Sequence, residues 1–315
     1  MQAEAKQTFS KAIFQRMGSL VGLVVIFIAL SLISSDFLTV SNMFNVLRQI
    51  SINALIAFGM TFVILTGGID LSVGSIFALS SALAAGMMAS GTDPFVAVMV
   101  GLAAGAVMGA ANGILIAKGK VAPFIATLAT MTVFRGLTLV YTEGKPITGL
   151  PESFALFGKG FFLDIPMPII WMLLAFVILY VILKHSTFGR HVYALGSNEE
   201  ATKLSGINTS KVKVYVYSIS GLLAALSGII LTSRLNSAQA TAGMSYELDA
   251  IAAVVLGGTS LSGGKGWIVG TLIGAMIIGV LDNGLNLLNV SSFYQQVVKG
   301  GVILIAVLLD RSKSK

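Results

Sequence analysis

The chain has 315 residues, 56% apolar and only 10% charged, with a mean hydropathy of +0.91. A soluble domain uses about 25% charged residues, so this composition excludes a water-exposed globular protein and reads as an all-α, polytopic membrane protein. The net charge of +7 is read by membrane side rather than as a sign of nucleic acid, which is not an expected partner. With no cysteine, disulfides, thiolate metal sites and cysteine nucleophiles are excluded.

A spanning helix needs about 20 mostly apolar residues. Ten such runs are expected in chain order, at 19–34, 46–66, 72–90, 95–117, 122–142, 168–184, 214–234, 248–262, 267–289 and 294–309. They form one transmembrane domain over 19–309, between tails at 1–18 and 310–315. Lys11 and Arg16 ahead of the first run have the look of a signal peptide. However, SSDFLTV follows without a small-x-small cleavage site, so the run is expected to remain. With the N-terminus inside, the inner segments carry Lys6, Lys11, Arg16, Lys118, Lys120, Lys184, Arg190, Lys203, Lys211, Lys213, Lys265, Arg311, Lys313 and Lys315, and the outer loops carry Lys145 and Lys159. The positive-inside rule then places both termini in the cytoplasm.

Between the second and third runs lies LTGGIDLSVGS (65–75), an acid among glycines inside an apolar region. On this topology it is an inner elbow: Gly67 and Gly68 reverse the chain, Ser72 caps the next helix, and Asp70 is a turn residue near the inner face. Offset by 190, LGGTSLSGGKG (256–266) repeats Gly67, Gly68, Leu71, Ser72 and Gly74 as Gly257, Gly258, Leu261, Ser262 and Gly264. This is either a distant internal repeat, common in transporters, or chance in a glycine-rich chain. Gly101, Gly105, Gly109 and Gly113 recur every four residues, as do Gly266, Gly270 and Gly274, so each set marks a helix face built for close packing. The outer loop 143–167 is proline-rich and has room for a short helix on the outer face.

The inner loop 185–213 is the sizeable polar segment on its side. Ser197 and Glu200 form an S-x-x-E capping box, Glu199 and Glu200 favour a first turn, and Gly206 suits a left-handed stop. Ala201 and Leu204 share one face of the resulting helix. The helix is either a linker or a docking element for a cytoplasmic partner. His185 and His191 lie in the same loop without a carboxylate constellation, and no nucleophile–base pair or metal site is expected.

Four segments, FGRHVYALGSNEEATKLSGIN, LTGGIDLSVGS, KGKVAPFIATLATM and YELDAIAAVVLGGTSL, resemble hallmarks of bacterial ABC-importer permeases of the monosaccharide type. The resemblance runs from about residue 20 to 309. It implies a bacterial inner-membrane permease subunit, itself not an enzyme, for a monosaccharide such as ribose. It further implies a homodimer with a second permease copy, a cytoplasmic ATPase that uses ATP and Mg, and an external sugar-binding protein. No cofactor is implied for this chain. The coupling segment carried over is 188–208, with Gly189, Arg190, Gly196, Asn198, Glu199 and Gly206 matching the family pattern, joined by Ser197 and Glu200 of the capping box. Leu261-Ser262-Gly263-Gly264-Lys265 imitates an ATPase signature, but no phosphate-binding loop accompanies it and Gly266 follows the lysine.

Gln49, Asn53, Asn112, Asn283 and Asn286 lie in or beside spans. Neutral amides can donate to and accept from sugar hydroxyls, so they are candidates for lining a path, or else for interhelical hydrogen bonds. Among span-internal charges, Arg135 and Asp249 are a candidate pair, unless both snorkel to the headgroups. A secondary transporter driven by an ion gradient, and a membrane scaffold, are the alternative classes.

Overall fold

The computed structural model describes residues 2–313, with side chains described for residues 18–302 and at Leu304 and Leu308. The side chains of Lys6, Lys11, Arg16, Arg311 and Lys313, and all of Lys315, lie outside the described residues. In chain order the helices are α1 (Gln2–Ile33), α2 (Val40–Leu65), α3 (Val73–Ala89), α4 (Pro94–Ala117), α5 (Pro123–Thr142), α6 (Glu152–Lys159), α7 (Met167–His185), α8 (Thr187–Ser197), α9 (Glu199–Leu204), α10 (Thr209–Leu235), α11 (Tyr246–Leu256), α12 (Ile268–Leu287) and α13 (Ser292–Lys313). Two-residue strands make two antiparallel pairs. β1 (Ile147–Thr148) joins β4 (Ser237–Ala238), and β2 (Phe161–Phe162) joins β3 (Ile165–Pro166).

Among the described residues, six helices are long and apolar enough to cross a membrane: α2, α4, α5, α7, α10 and α12. Their starts follow local chemistry. Pro94 and Pro123 stand at first-turn positions where a missing N–H costs nothing, and the Asp93 carboxylate accepts from the N–H groups of Phe95 and Val96. The eighth expected span, 248–262, is not a spanning helix. Here α11 has 11 residues, about 16 Å of helix at 1.5 Å per residue against a bilayer core of about 30 Å. Gly243 and Ser245, both at positive φ, break the chain before it, and Gly258 at φ +86° turns it after. Between β4 and α11, residues 239–245 run as irregular chain.

The core is built on α2 and α10. Every residue of α2 from Ala54 to Leu65 is buried, and α10 packs on α2, α3 and α4. The glycine face of α4 is the reason α10 comes so close. A β-carbon on Gly109 would overlap the Tyr217 carbonyl, and one on Gly113 would stand 2.6 Å from the Val214 backbone. Gly221 of α10 answers Gly105 in the same way. The second glycine series brings α12 onto α11: Gly270 lies against Gly257, and Gly274 against the Ala253 carbonyl. Outside this core, large apolar side chains such as Phe95, Val107, Val140, Leu174 and Val177 are exposed. An exposed apolar girdle of this extent is the surface of a chain solvated by lipid.

The expected short helix in loop 143–167 is α6. It is tied down: Gly158 N–H donates to Ser233 Oγ of α10 (2.8 Å), and the Trp171 indole N–H of α7 donates to the Phe157 carbonyl (3.1 Å).

Candidate functional site

At one end of the bundle α8, α9 and the two glycine elbows meet. The helix expected in the inner loop forms, but its cap differs from the expectation. Ser197 is the last residue of α8 and its hydroxyl donates to the Tyr193 carbonyl (2.9 Å), so it does not cap α9. Asn198 is the N-cap, its side-chain oxygen accepting from Ala201 N–H at 2.9 Å. The shift has a simple cause: α8 consumes Ser197, and Asn is as good a cap as Ser. Glu199 and Glu200 then fill the first turn, and Gly206 at φ +83° ends the element as expected.

The Lys213 ammonium pairs with Glu199 (2.7 Å), fixing α9 to the first turns of α10. Thr202 is the buried residue of α9, while Glu200, Ala201, Lys203 and Leu204 face outward. Leu204 is 88% exposed, an apolar side chain presented from a charged six-residue helix. Arg190 is exposed in the first turn of α8, whereas Gly189 and Gly196 are packing positions. A β-carbon on Gly189 would strike the Leu183 carbonyl, and one on Gly196 the Leu65 carbonyl.

Gly196 therefore sits on the end of α2, and so does the second elbow. Gly264 N–H donates to the Leu65 carbonyl at 2.9 Å, and the Tyr193 hydroxyl donates to the Gly266 carbonyl at 2.9 Å. The ATPase-like LSGGK run is thus a partly exposed turn whose glycines pack against the ends of α2 and α8. The two elbows also share a geometry. Gly67 N–H bonds Ile64 O and Gly68 N–H bonds Val63 O, while Gly258 N–H bonds Val255 O and Thr259 N–H bonds Val254 O. Both are Schellman stops, but they correspond at an offset of 191, one residue from the sequence register. The 190 offset returns beyond the stop, where Ser72 N–H bonds Asp70 and Ser262 N–H bonds Ser260 Oγ.

Asp70 lies in the elbow turn, as expected, but not at its surface. It is fully buried. Ser72 N–H (3.0 Å) and Ser72 Oγ–H (2.6 Å) donate to one carboxylate oxygen, and Ser220 of α10 donates to the other at 2.9 Å. Asn112 of α4 donates in turn to Ser72 Oγ at 2.7 Å. Ser72 accordingly does not cap α3 through its side chain. It is the centre of a network joining the elbow to α4 and α10. The elbow folds back into the bundle because Gly68 lets the Tyr217 ring cross it closely.

The remaining amides separate. Asn283 and Asn42 exchange two hydrogen bonds (2.8 and 3.0 Å) between α12 and α2. Asn286 is exposed and accepts from Gln295 at 2.9 Å. Gln49 and Asn53 are half-buried one turn apart on α2. With Asn42 and Asn45, which sequence reading passed over, they form a series at three- and four-residue spacing along that helix, a signal present in the sequence.

Arg135 and Asp249 do not pair. Arg135 donates to the carbonyls of Ala240 (2.6 Å), Ala242 (2.8 Å) and Gly74 (3.1 Å), satisfying the irregular chain ahead of α11. Asp249 instead pairs with Lys299 at 2.9 Å, and Lys299 also holds Asp282 at 2.9 Å. Non-helical backbone in a membrane protein needs partners from the protein itself, and Arg135 supplies them to the Ala240 and Ala242 carbonyls.

Comparison with known proteins accords with this architecture. The family described as "Branched-chain amino acid transport system / permease component" matches residues 42–307. The ribose import permease protein of Bacillus subtilis (strain 168) is 65% identical over all of this chain and 98% of its own length. The ribose import permease protein of Escherichia coli (strain K12) is 54% identical over 98% of this chain and 97% of its own. The D-allose transport system permease protein of the same strain is 41% identical over 100% and 97%. No solved structure matches the chain. With a family match over most of its length, exposed apolar helices and a short capped helix at one end, this chain belongs to the branched-chain amino acid transport system / permease component family.

Proposed function

We propose that this chain is the membrane-spanning subunit of an ATP-driven ribose importer of the bacterial inner membrane. The observation that carries the reading is 65% identity, end to end, with a protein named as a ribose import permease. On this reading α8, α9 and the elbows face the cytoplasm, as do both chain ends. The ten helices of the expected count cross or re-enter the bilayer. The outward side chains of α9, Leu204 foremost, dock on an ATPase that binds ATP and Mg, while Glu199 and Asn198 keep the helix rigid. A rigid helix transmits displacement, and a flexible loop would absorb it. A second copy of the chain completes the path, and an external binding protein delivers the sugar.

The acids of the bundle support this over an ion-coupled transporter. Asp249 and Asp282 are engaged by Lys299, and Asp70 is held by neutral donors between packed helices. Each of these three acids has a hydrogen-bond or ionic partner. The test is uptake in vesicles carrying the chain with its ATPase and binding protein. ATP-dependent ribose accumulation is expected, with hexoses transported poorly. Accumulation driven by a proton or sodium gradient without ATPase would overturn the reading.

A further inference from the structure

A cavity of about 410 Å³ opens where the end of α7, the first half of α8 and the start of α12 converge. Its volume falls within the roughly 300–1,000 Å³ of small-molecule sites. Two cations line it, Lys184 and Arg190, and no carboxylate does. Among the described residues no acid forms a salt bridge with either one. Tyr180, Tyr193 and Trp267 supply aromatic walls, and Leu183 with Ile268 an apolar floor. The Lys184 ammonium donates to Tyr180 Oη at 2.7 Å and stands 5.1 Å from its ring. It is thus held at the cavity while its stem runs along the helix. The first turn of α12 borders the same space, and no side chain caps that helix, so its N-terminal dipole adds to the positive field.

What lies beside the cavity decides the occupant. Leu173, Leu174, Val177 and Val181 are exposed along α7 and lead to Lys184 in its last turn. An apolar helix face ending in cations and aromatic rings matches the acyl-to-headgroup boundary of a leaflet, and basic pockets between helices on the cytoplasmic side select anionic headgroups. We propose that this pocket binds an anionic phospholipid of the inner leaflet, its phosphate held by Lys184 and Arg190 and its acyl chains lying along α7. A free phosphate would use the cations but not the apolar floor or the α7 face.

The test uses the full-length chain purified in mild detergent and examined by native mass spectrometry. Retained phosphatidylglycerol is expected, and the double variant Lys184→Gln with Arg190→Gln should weaken its binding by about thirtyfold, with phosphatidylethanolamine unchanged. Equal retention by both proteins overturns the proposal. As a readout independent of the variant, phosphatidylglycerol should raise the melting temperature of the unsubstituted protein in nanodiscs above that in phosphatidylcholine alone. An equal rise with inorganic phosphate would overturn the lipid assignment. Neither readout measures ribose uptake, so failure here is distinct from failure of the proposed function.

Discussion

At the scale of single residues, two buried ionic arrangements invite opposite expectations. Asp70 accepts three hydrogen bonds from neutral groups and faces no cation. An amide of the same shape keeps an acceptor toward Ser72 and can donate to Ser220. Asp70→Asn should therefore assemble and transport nearly as the unsubstituted protein does. Asp70→Leu leaves those donors unpaired, at roughly 1–3 kcal/mol each, and should fail to accumulate in the membrane. Loss of transport by a well-assembled Asp70→Asn protein would instead make the charge itself functional. Lys299 is the reverse case, one cation between two acids on three different helices. Removing it as Lys299→Met leaves Asp249 and Asp282 unpaired in the bundle, and breaking such a buried pair costs about 3–5 kcal/mol. The expected result is a large drop in melting temperature, with Asp249→Asn milder because the Lys299–Asp282 pair survives.

At the scale of elements, glycine decides which helices touch. The α4–α10 contact exists because backbones meet where side chains would stand. Gly109→Leu should separate the two helices and abolish stable expression, whereas Gly136→Leu on α5, which has open space at its Cα, should be tolerated. Membrane yield by fluorescence-detected chromatography distinguishes the two. For α9 the expectation concerns a partner rather than stability. Leu204→Asp alters an 88% exposed side chain, so the melting temperature should stay level while ATPase co-purification falls. Asn198→Ala should cost about 1 kcal/mol as a lost cap and weaken coupling by loosening the helix. If Leu204→Asp bound the ATPase normally, α9 would be a linker after all.

At the scale of the whole molecule, the two elbows, α8 and the end of α2 form one hydrogen-bonded unit. On the proposed function, motion imposed on α9 would reach α2 through Gly196, which admits no β-carbon against the Leu65 carbonyl. Gly196→Ala should therefore push α8 off the end of α2 and lower the melting temperature, and in the fraction that still assembles with the ATPase it should uncouple hydrolysis from uptake, read as ATP consumed per sugar moved in proteoliposomes. A ratio equal to that of the unsubstituted protein would place the transmission elsewhere.

Composition alone determined the solvent of this protein, because a surface with so few charges cannot face water. Patterning determined most helices, the glycine faces and the capped helix of the inner loop, since each rests on neighbours within four residues along the chain. Tertiary structure decided the rest. Whether the run at 248–262 spans depends on its length between two glycine breaks and on Arg135 satisfying the chain before it. Whether Asn198 or Ser197 caps α9 depends on where α8 ends. Lys299 for Asp249, Ala240 and Ala242 for Arg135, and Ser220 for Asp70 come from 50 to 150 positions away, and no local pattern encodes such distances; only the Ser72 bonds of Asp70 are local. Burial and pairing of charge are properties of the packed bundle, and only the packed bundle displays them.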